Sequence, residues 1–388
     1  MKPQQSIFGL IPRRLFVHGA FAGACSSLLS SRVSCAFQNK TAGKQSAGSA
    51  LDQALDLLAA TPQGSSTHAP MVAEALAALG RADAAIAWVE RNKRENERPY
   101  PAASRPLKRE DWRAALGDQS RRGEWVVFFQ REIAETGWQT VLPEWLAQLA
   151  PGMAAAAAHG LIRTAHAVRS LEAGVSAQRQ QELAEGLGYW SSWYQKLPAA
   201  PAQERGVLKP AEALKQIVPM PPDQVRRGNI VAAVSSLEDF PSFAPAINWV
   251  DASGDAARFL SDLTETFVYA YLANAHNFNS TLRLVHAVTG SSAVRLLLPY
   301  VGPARKVELM RHGWQLGAAL YAVSGRTPRA ALPASPPPGR AELIEQAIQN
   351  DGAHPIKFTE ACLREYALNP QPVYLHAARH VIENLHNV

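Results

Sequence analysis

The sequence predicts an all-α protein, a single large helical domain with proline-rich loop excursions. Three observations predict it. Apolar residues recur at spacings of three, four and seven along most of the chain, which places them on one face of an α-helix. No convincing run alternates apolar and polar residues at the period of two that a half-buried strand needs. Prolines gather into a few stretches, where they bound helices and do not interrupt them. With 388 residues, 47% hydrophobic and 19% charged, the chain is long and apolar enough to bury a large core.

In chain order, residues 1–36 read as an address. Arg13-Arg14-Leu15-Phe16-Val17 resembles a twin-arginine export motif, a weakly apolar stretch follows from Gly19 to Leu29, and Ser34-Cys35-Ala36 offers a small-x-small cleavage site before Phe37. A basic amphipathic arm is the other reading of this segment. An export signal implies the export machinery as a partner and a periplasmic destination. The segment holds Lys2, Arg13, Arg14 and Arg32 and no acid, so the formal charge of +6 falls by these four to +2 without it. So small an excess does not call for a nucleic-acid partner. No apolar run reaches the roughly 20 residues of a spanning helix, so no stable membrane span is expected. Cys25 and Cys35 would leave with the signal, and Cys362 alone cannot form an internal disulfide.

Residues 37–50 are small and polar and read as a linker, leaving 51–388 as the folded domain. Its helix faces are legible as stripes: Leu51, Leu55 and Leu58; Val72, Leu76 and Leu79; Val126, Phe129 and Ile133; Leu183, Leu187, Trp190 and Tyr194. Ser65-Ser66-Thr67 offer an N-cap for the second stripe, Gly80 a stop, and Pro143 the first turn of a helix starting near Leu142. Residues 198–228 and 325–339 are rich in proline and read as loops without long helix.

The chemistry is carried by histidine. His159 and His166 lie seven apart in an alanine-rich run from Met153 to Leu171. That spacing returns a helix nearly to the same azimuth after about 10.5 Å of rise, so both rings face one side and could lean toward one ion. Two core histidines satisfied by separate acceptors would show the same spacing. His286 sits among apolar neighbours, His68 opens a helix, and His354 and Lys357 fall one turn apart at another helix start. Lys357 could pair with Glu360, or, with its pKa lowered beside a metal, take up CO₂ as a carbamate and become an anionic ligand. His376 and His380, at i and i+4, have a spacing that suits a shared metal but lie near the C-terminus, while His276 and His312 lack ligand-like neighbours. Trp190, Trp193 and Tyr194 could wall a flat aromatic substrate or simply be core.

Five blocks in order, Thr67–Arg81 (THAPMVAEALAALGR), His159–Arg169 (HGLIRTAHAVR), Glu182–Tyr194 (ELAEGLGYWSSWY), Leu284–Gly290 (LVHAVTG) and His354–Glu365 (HPIKFTEACLRE), resemble the recurring blocks of the questin oxidase-like family. The likeness spans roughly residues 50–385. It implies oxidative ring opening of a small aromatic, polyketide-like substrate by O₂, as Baeyer–Villiger-type oxygenation or carbon–carbon cleavage. The chain has no GxGxxG after a strand and no βαβ pattern, so no dinucleotide or flavin fold is expected and NADPH would enter only as an external reductant. Ground-state O₂ then needs a redox metal, and imidazole ligands in an oxidative role favour non-haem Fe(II). The expected metal site draws on His68, His159, His166, His286, His354 and a carbamylated Lys357, with a catalytic role for His354 and Lys357. The export signal departs from the fungal setting of the family and puts an anthraquinone substrate in doubt. A non-catalytic periplasmic metal- or haem-binding protein and a zinc hydrolase are the alternatives.

Overall fold

A computed structural model of the chain describes residues 48–61, 67–94, 100–201 and 206–386. The expected export signal lies outside the described residues, as does the linker through residue 47, whereas residues 48–50 already belong to the first helix. The described residues all fall in one compact unit. They are helical and contain no strand, only two isolated bridges, Met153 with Gln195 and Leu208 with Val250.

Helix α1 runs through residues 48–59. It is followed by α2 (Ala69–Ala78), α3 (Ala82–Asn92), the single turn α4 (Trp112–Ala115), α5 (Arg122–Thr136) and α6 (Trp138–Leu149). Next come α7 (His159–Ala173), α8 (Ala177–Ser192) and the short α9 (Pro210–Gln216) and α10 (Ile230–Ser235). The chain closes with α11 (Ala256–Asn274), α12 (Phe278–Leu297), α13 (Pro303–Ala322), α14 (Arg340–Asn350), α15 (Ala353–Leu368) and α16 (Pro372–Asn384).

The apolar stripes become buried faces: Val72 and Leu76 on α2, Phe129 and Ile133 on α5, Leu187 and Trp190 on α8 are all in the core. Tyr194 lies past the end of α8, where its ring packs over Gly152. Three local readings change. The N-cap of α2 is His68, with Pro70 in the first turn, and not the Ser/Thr run before it; Ser65 and Ser66 lie outside the described residues. Helix α6 starts at Trp138, so Pro143 sits inside it. The lost backbone bond is outweighed because Trp138, Val141, Leu142, Trp145 and Leu146 are buried together. Pro210 opens the seven-residue α9 within the stretch read as loop, while 325–339 holds no helix.

Four helices position the site. Helix α2 packs against α7 and α15, and α12 packs against the same two, closing a ring. A buried ion network ties the ring together. Glu74 of α2 accepts from His166 and Arg169 of α7, and Arg169 also reaches Glu360 of α15. Arg364 bridges Glu360 and Glu365, both on α15, at 3.1 Å each. Glu365 in turn accepts from Ser292 at 2.9 Å and Arg295 at 2.8 Å on α12. Burial pushes the Glu74 and Glu360 carboxyls up, but Arg169, with His166 or Arg364, outweighs it and holds both below the usual carboxylate range.

Arg169 is the only side chain of the network that touches both α2 and α15, and its loss leaves two buried carboxylates facing each other. Arg169→Met is therefore expected to lower stability by about 3–5 kcal/mol, read as a lower urea midpoint with retained helical circular dichroism. An unchanged midpoint would show that the network does not hold the ring.

Candidate metal centre

Three histidines stand at helix starts: His68 caps α2, His159 is the first residue of α7 and His354 the second of α15. His286 lies two turns into α12. The ring of four helices brings all four imidazoles together. His68 Nε2 and His159 Nε2 are 2.8 Å apart, and His159 Nε2 and His286 Nε2 are 3.4 Å apart. The His354 ring centroid is 4.6 Å from that of His68 and 5.1 Å from that of His286. Candidate ligand atoms of His68, His159 and His354 all lie within 4.8 Å of one another.

Local structure aims the rings. His159 Nδ1 donates to the Ala156 carbonyl at 2.6 Å, and His286 Nδ1 to the Leu282 carbonyl at 2.7 Å. Carbonyl oxygens only accept, so both Nδ1 atoms carry the hydrogen and, in the neutral rings, both Nε2 atoms are lone pairs. Burial pushes the His159 ring well below the ordinary histidine value, helped by the neighbouring His286, His68 and Lys357. His286 is pushed down to about 3 by burial, and His354 falls well below the ordinary value for the same reason. The rings are therefore neutral near pH 7 and ready to ligate.

Two lone pairs facing each other at 3.4 Å repel unless a cation lies between them. Imidazole nitrogens sit about 2.0–2.1 Å from a bound divalent metal, which puts neighbouring ligands about 3 Å apart. The 2.8 and 3.4 Å separations fit that spacing. The residues therefore fit a metal ion, and a donor set of imidazoles suits iron, copper, nickel or zinc.

The segment before α7 differs from its sequence reading. The alanine-rich run does not continue the helix N-terminally: Ala156, Ala157 and Ala158 have φ of 48°, 58° and 71°. This left-handed turn costs about 1–2 kcal/mol per residue, and it turns the Ala156 carbonyl onto His159 Nδ1. Such strain persists only where the surroundings impose it. Here α7 begins hard against α8, since a Cβ on Gly160 would lie 2.6 Å from the Trp190 Cα.

His166 is not part of the cluster. The two-turn rise that keeps it on the His159 face carries it down the helix, where its Nδ1 meets Glu74 at 2.5 Å. Lys357 is buried one turn after His354, near enough to depress the neighbouring rings, while Glu360 is engaged by Arg169 and Arg364. His380 meets the Tyr271 hydroxyl at 3.0 Å, and neither it nor His376, His276 or His312 enters a ligand group among the described residues.

The four imidazoles floor a cavity of about 420 Å³. Trp193 lines it, but Trp190 is core, with its indole donating to the Gly152 carbonyl at 3.0 Å, and Tyr194 does not reach it. Tyr189, Ile230, Phe278, Leu282 and Arg283 complete the wall in ways the sequence reading missed. Arg283, one turn before His286, is the one with a spacing that could have announced it. A second cavity of about 480 Å³, lined by Asp56, Arg163 and Glu182, holds no imidazole. Its Arg163 and Glu182 are paired with each other at 2.6 Å.

The neutral rings make stability depend on pH. An unfolded histidine titrates near 6.5, so between that value and about 3 the unfolded state binds the proton that folded His286 refuses. Stability is thus full above pH 6.5 and falls as pH drops. Metal-free protein should lose urea resistance between pH 7 and 5, above the range where Glu74 and Glu360 protonate, and His286→Gln should flatten that slope. An equal slope in both proteins would refute the assignment.

The family model described as questin oxidase-like matches residues 66–362, about three quarters of the chain, and that span contains all four clustered histidines and Lys357. No curated protein matches the chain. Together with the histidine group, this match supports a metal-using oxidoreductase. With a family match over most of its length and the family's histidine blocks meeting in one place, the chain belongs to the questin oxidase-like family.

Proposed function

We propose that the protein is a non-haem iron oxygenase that uses O₂ to open a ring of a small aromatic substrate, by Baeyer–Villiger-type insertion or by carbon–carbon cleavage. The observation that carries this reading is the meeting of His68, His159, His286 and His354 on the floor of an apolar-walled cavity in a questin oxidase-like chain. Iron, when bound, supplies the redox chemistry that lets ground-state O₂ react with a closed-shell molecule. The chain's own residues do the rest. His159 and His286 present lone pairs fixed by backbone carbonyls. Tyr189, Trp193 and Phe278 offer flat faces for an aromatic ring, and with Ile230 and Leu282 they keep water from it.

Four rings converging on one point suit a bare ion better than haem, whose iron takes at most two protein ligands from opposite faces. Insertion of a single oxygen atom into the product requires two further electrons, which NADPH from solution would supply; incorporation of both atoms requires none. The ratio of NADPH to O₂ consumed separates the two chemistries.

The test is metal analysis and oxygen uptake on protein purified from its native compartment. Near-stoichiometric iron and substrate-dependent O₂ consumption are expected, with His159→Ala and His286→Ala each losing about a hundredfold or more of the uptake together with bound iron. Zinc in place of iron, with hydrolytic activity that persists without oxygen, would overturn the reading.

An all-imidazole site lacks an anionic donor, and the proposal assigns that part to Lys357. Its neutral amine adds to CO₂, forming a nitrogen–carbon bond and releasing one proton, and the resulting carbamate oxygen faces the rings. Labelled bicarbonate should give a carbamate carbon signal that Lys357→Gln lacks. A wild-type protein without that signal would leave lysine out of the coordination sphere.

A further inference from the structure

The cavity above the histidines is lined by one arginine and, among the described residues, by no acid. Among the residues that line it, Arg283 is the only arginine or lysine, and a guanidinium stays charged at any pH the protein meets. The guanidinium is half-buried, and one hydrogen bond holds it, from Nη1 to the Val323 carbonyl at 3.3 Å. No acid among the described residues pairs with it. Burial without a counter-charge pushes even this arginine down. Its remaining N–H groups make no hydrogen bond to a described residue, so they are available to an anion that enters the cavity.

The rest of the cavity adds to the same field. Helices α2, α7 and α15 begin at the histidines, and Phe278 and Asn279 at the start of α12 line the wall. Each helix start carries about half a positive charge. Arg283 stands one turn before His286 on α12, so an anion on its fork and a reacting ring over the imidazoles lie about one helical turn apart. The walls between them are apolar and aromatic, Trp193, Tyr189 and Leu282 among them.

We propose that Arg283 anchors an ionised oxygen carried by the aromatic substrate, so that the protein selects aromatic anions over their neutral counterparts. The inference rests on the oxygenase reading for its substrate's ring but not for its charge. A planar fork of N–H donors matches a carboxylate with two parallel bonds and the ionised hydroxyl of a quinone with one. Either source supplies the same charge to the same group.

Binding decides it. Naphthoate is compared with naphthamide, and a hydroxynaphthoquinone ionised at neutral pH with its methyl ether, by calorimetry on protein as purified and after chelator treatment. In the wild type the ionised member of at least one pair should bind about tenfold or more tighter, and in Arg283→Gln the gap should shrink to about twofold. Arg283→Lys, which keeps the charge and loses the fork, should retain part of the preference, and an unfolding midpoint equal to wild type certifies that the variants are folded. A gap in the carboxylate pair alone names an aromatic acid, and a gap in the quinone pair alone names an acidic quinone. Equal binding within both pairs, a gap that survives in Arg283→Gln, or a gap that vanishes with the metal would overturn the proposal. Because no oxygen is consumed in this assay, charge selection without oxygen uptake would sink the oxygenase reading and leave Arg283 its role, and uptake without selection the reverse.

Discussion

The structure depends on four helices that run the same way. In α2, α7, α12 and α15 a histidine comes first and the ion network six to ten residues later: Glu74 after His68, His166 and Arg169 after His159, Ser292 and Arg295 after His286, Glu360 and Arg364 after His354. Parallel helices side by side align their dipoles unfavourably, and each end needs compensation. At the C-terminal side, Arg295 lies in the last turn of α12 and supplies it there, while Arg169 and Arg364 stand further inside α7 and α15, and Glu74, Glu360 and Glu365 neutralise all three. A buried pair is weak evidence for stability, but it is strict about geometry, since a slip of one turn would strand a charge in the core.

The opposite end of the bundle is left positive, and there the chain places the histidines. Neutral imidazoles tolerate the field of several helix starts, and burial keeps them neutral. A cation bound among them would sit in an unfavourable potential unless anionic partners joined it. The lone pairs of His159 and His286, the buried Lys357 and Arg283, which no acid among the described residues pairs, all act on that balance. The strained turn at Ala156–Ala158 is a further cost borne at this end, and it sets the tautomer of His159. Strain and lone-pair repulsion thus coincide in one small volume, as expected where binding of a ligand relieves what folding imposes.

Much of this was legible in the residues. The stripes at Val72 and Leu76 or Leu183 and Leu187 marked helix faces that are buried, because periodicity of apolar side chains is what a packed helix requires. The ordered blocks pointed to the family whose match covers residues 66–362. Less legible was anything that depended on a backbone departing from its local preference. An alanine run favours helix, because alanine is the best helix former, yet Ala156–Ala158 is left-handed just before α7 comes close against α8 at Gly160. Pro143 reads as a helix start for the same reason in reverse.

Composition and periodicity alone settle that the described residues are helical and where most helices lie, since these follow from local spacing, whereas His68 and His354 stood out only through the resemblance of their blocks to the family. The packed fold alone settles which rings meet. Spacing along one helix determines the direction a side chain faces, but the level at which it meets its neighbours on other helices is set by how those helices slide against each other. His166 faces the same side as His159 and yet pairs with Glu74, whereas His68, His286 and His354, from distant stretches of chain, arrive at the height of His159.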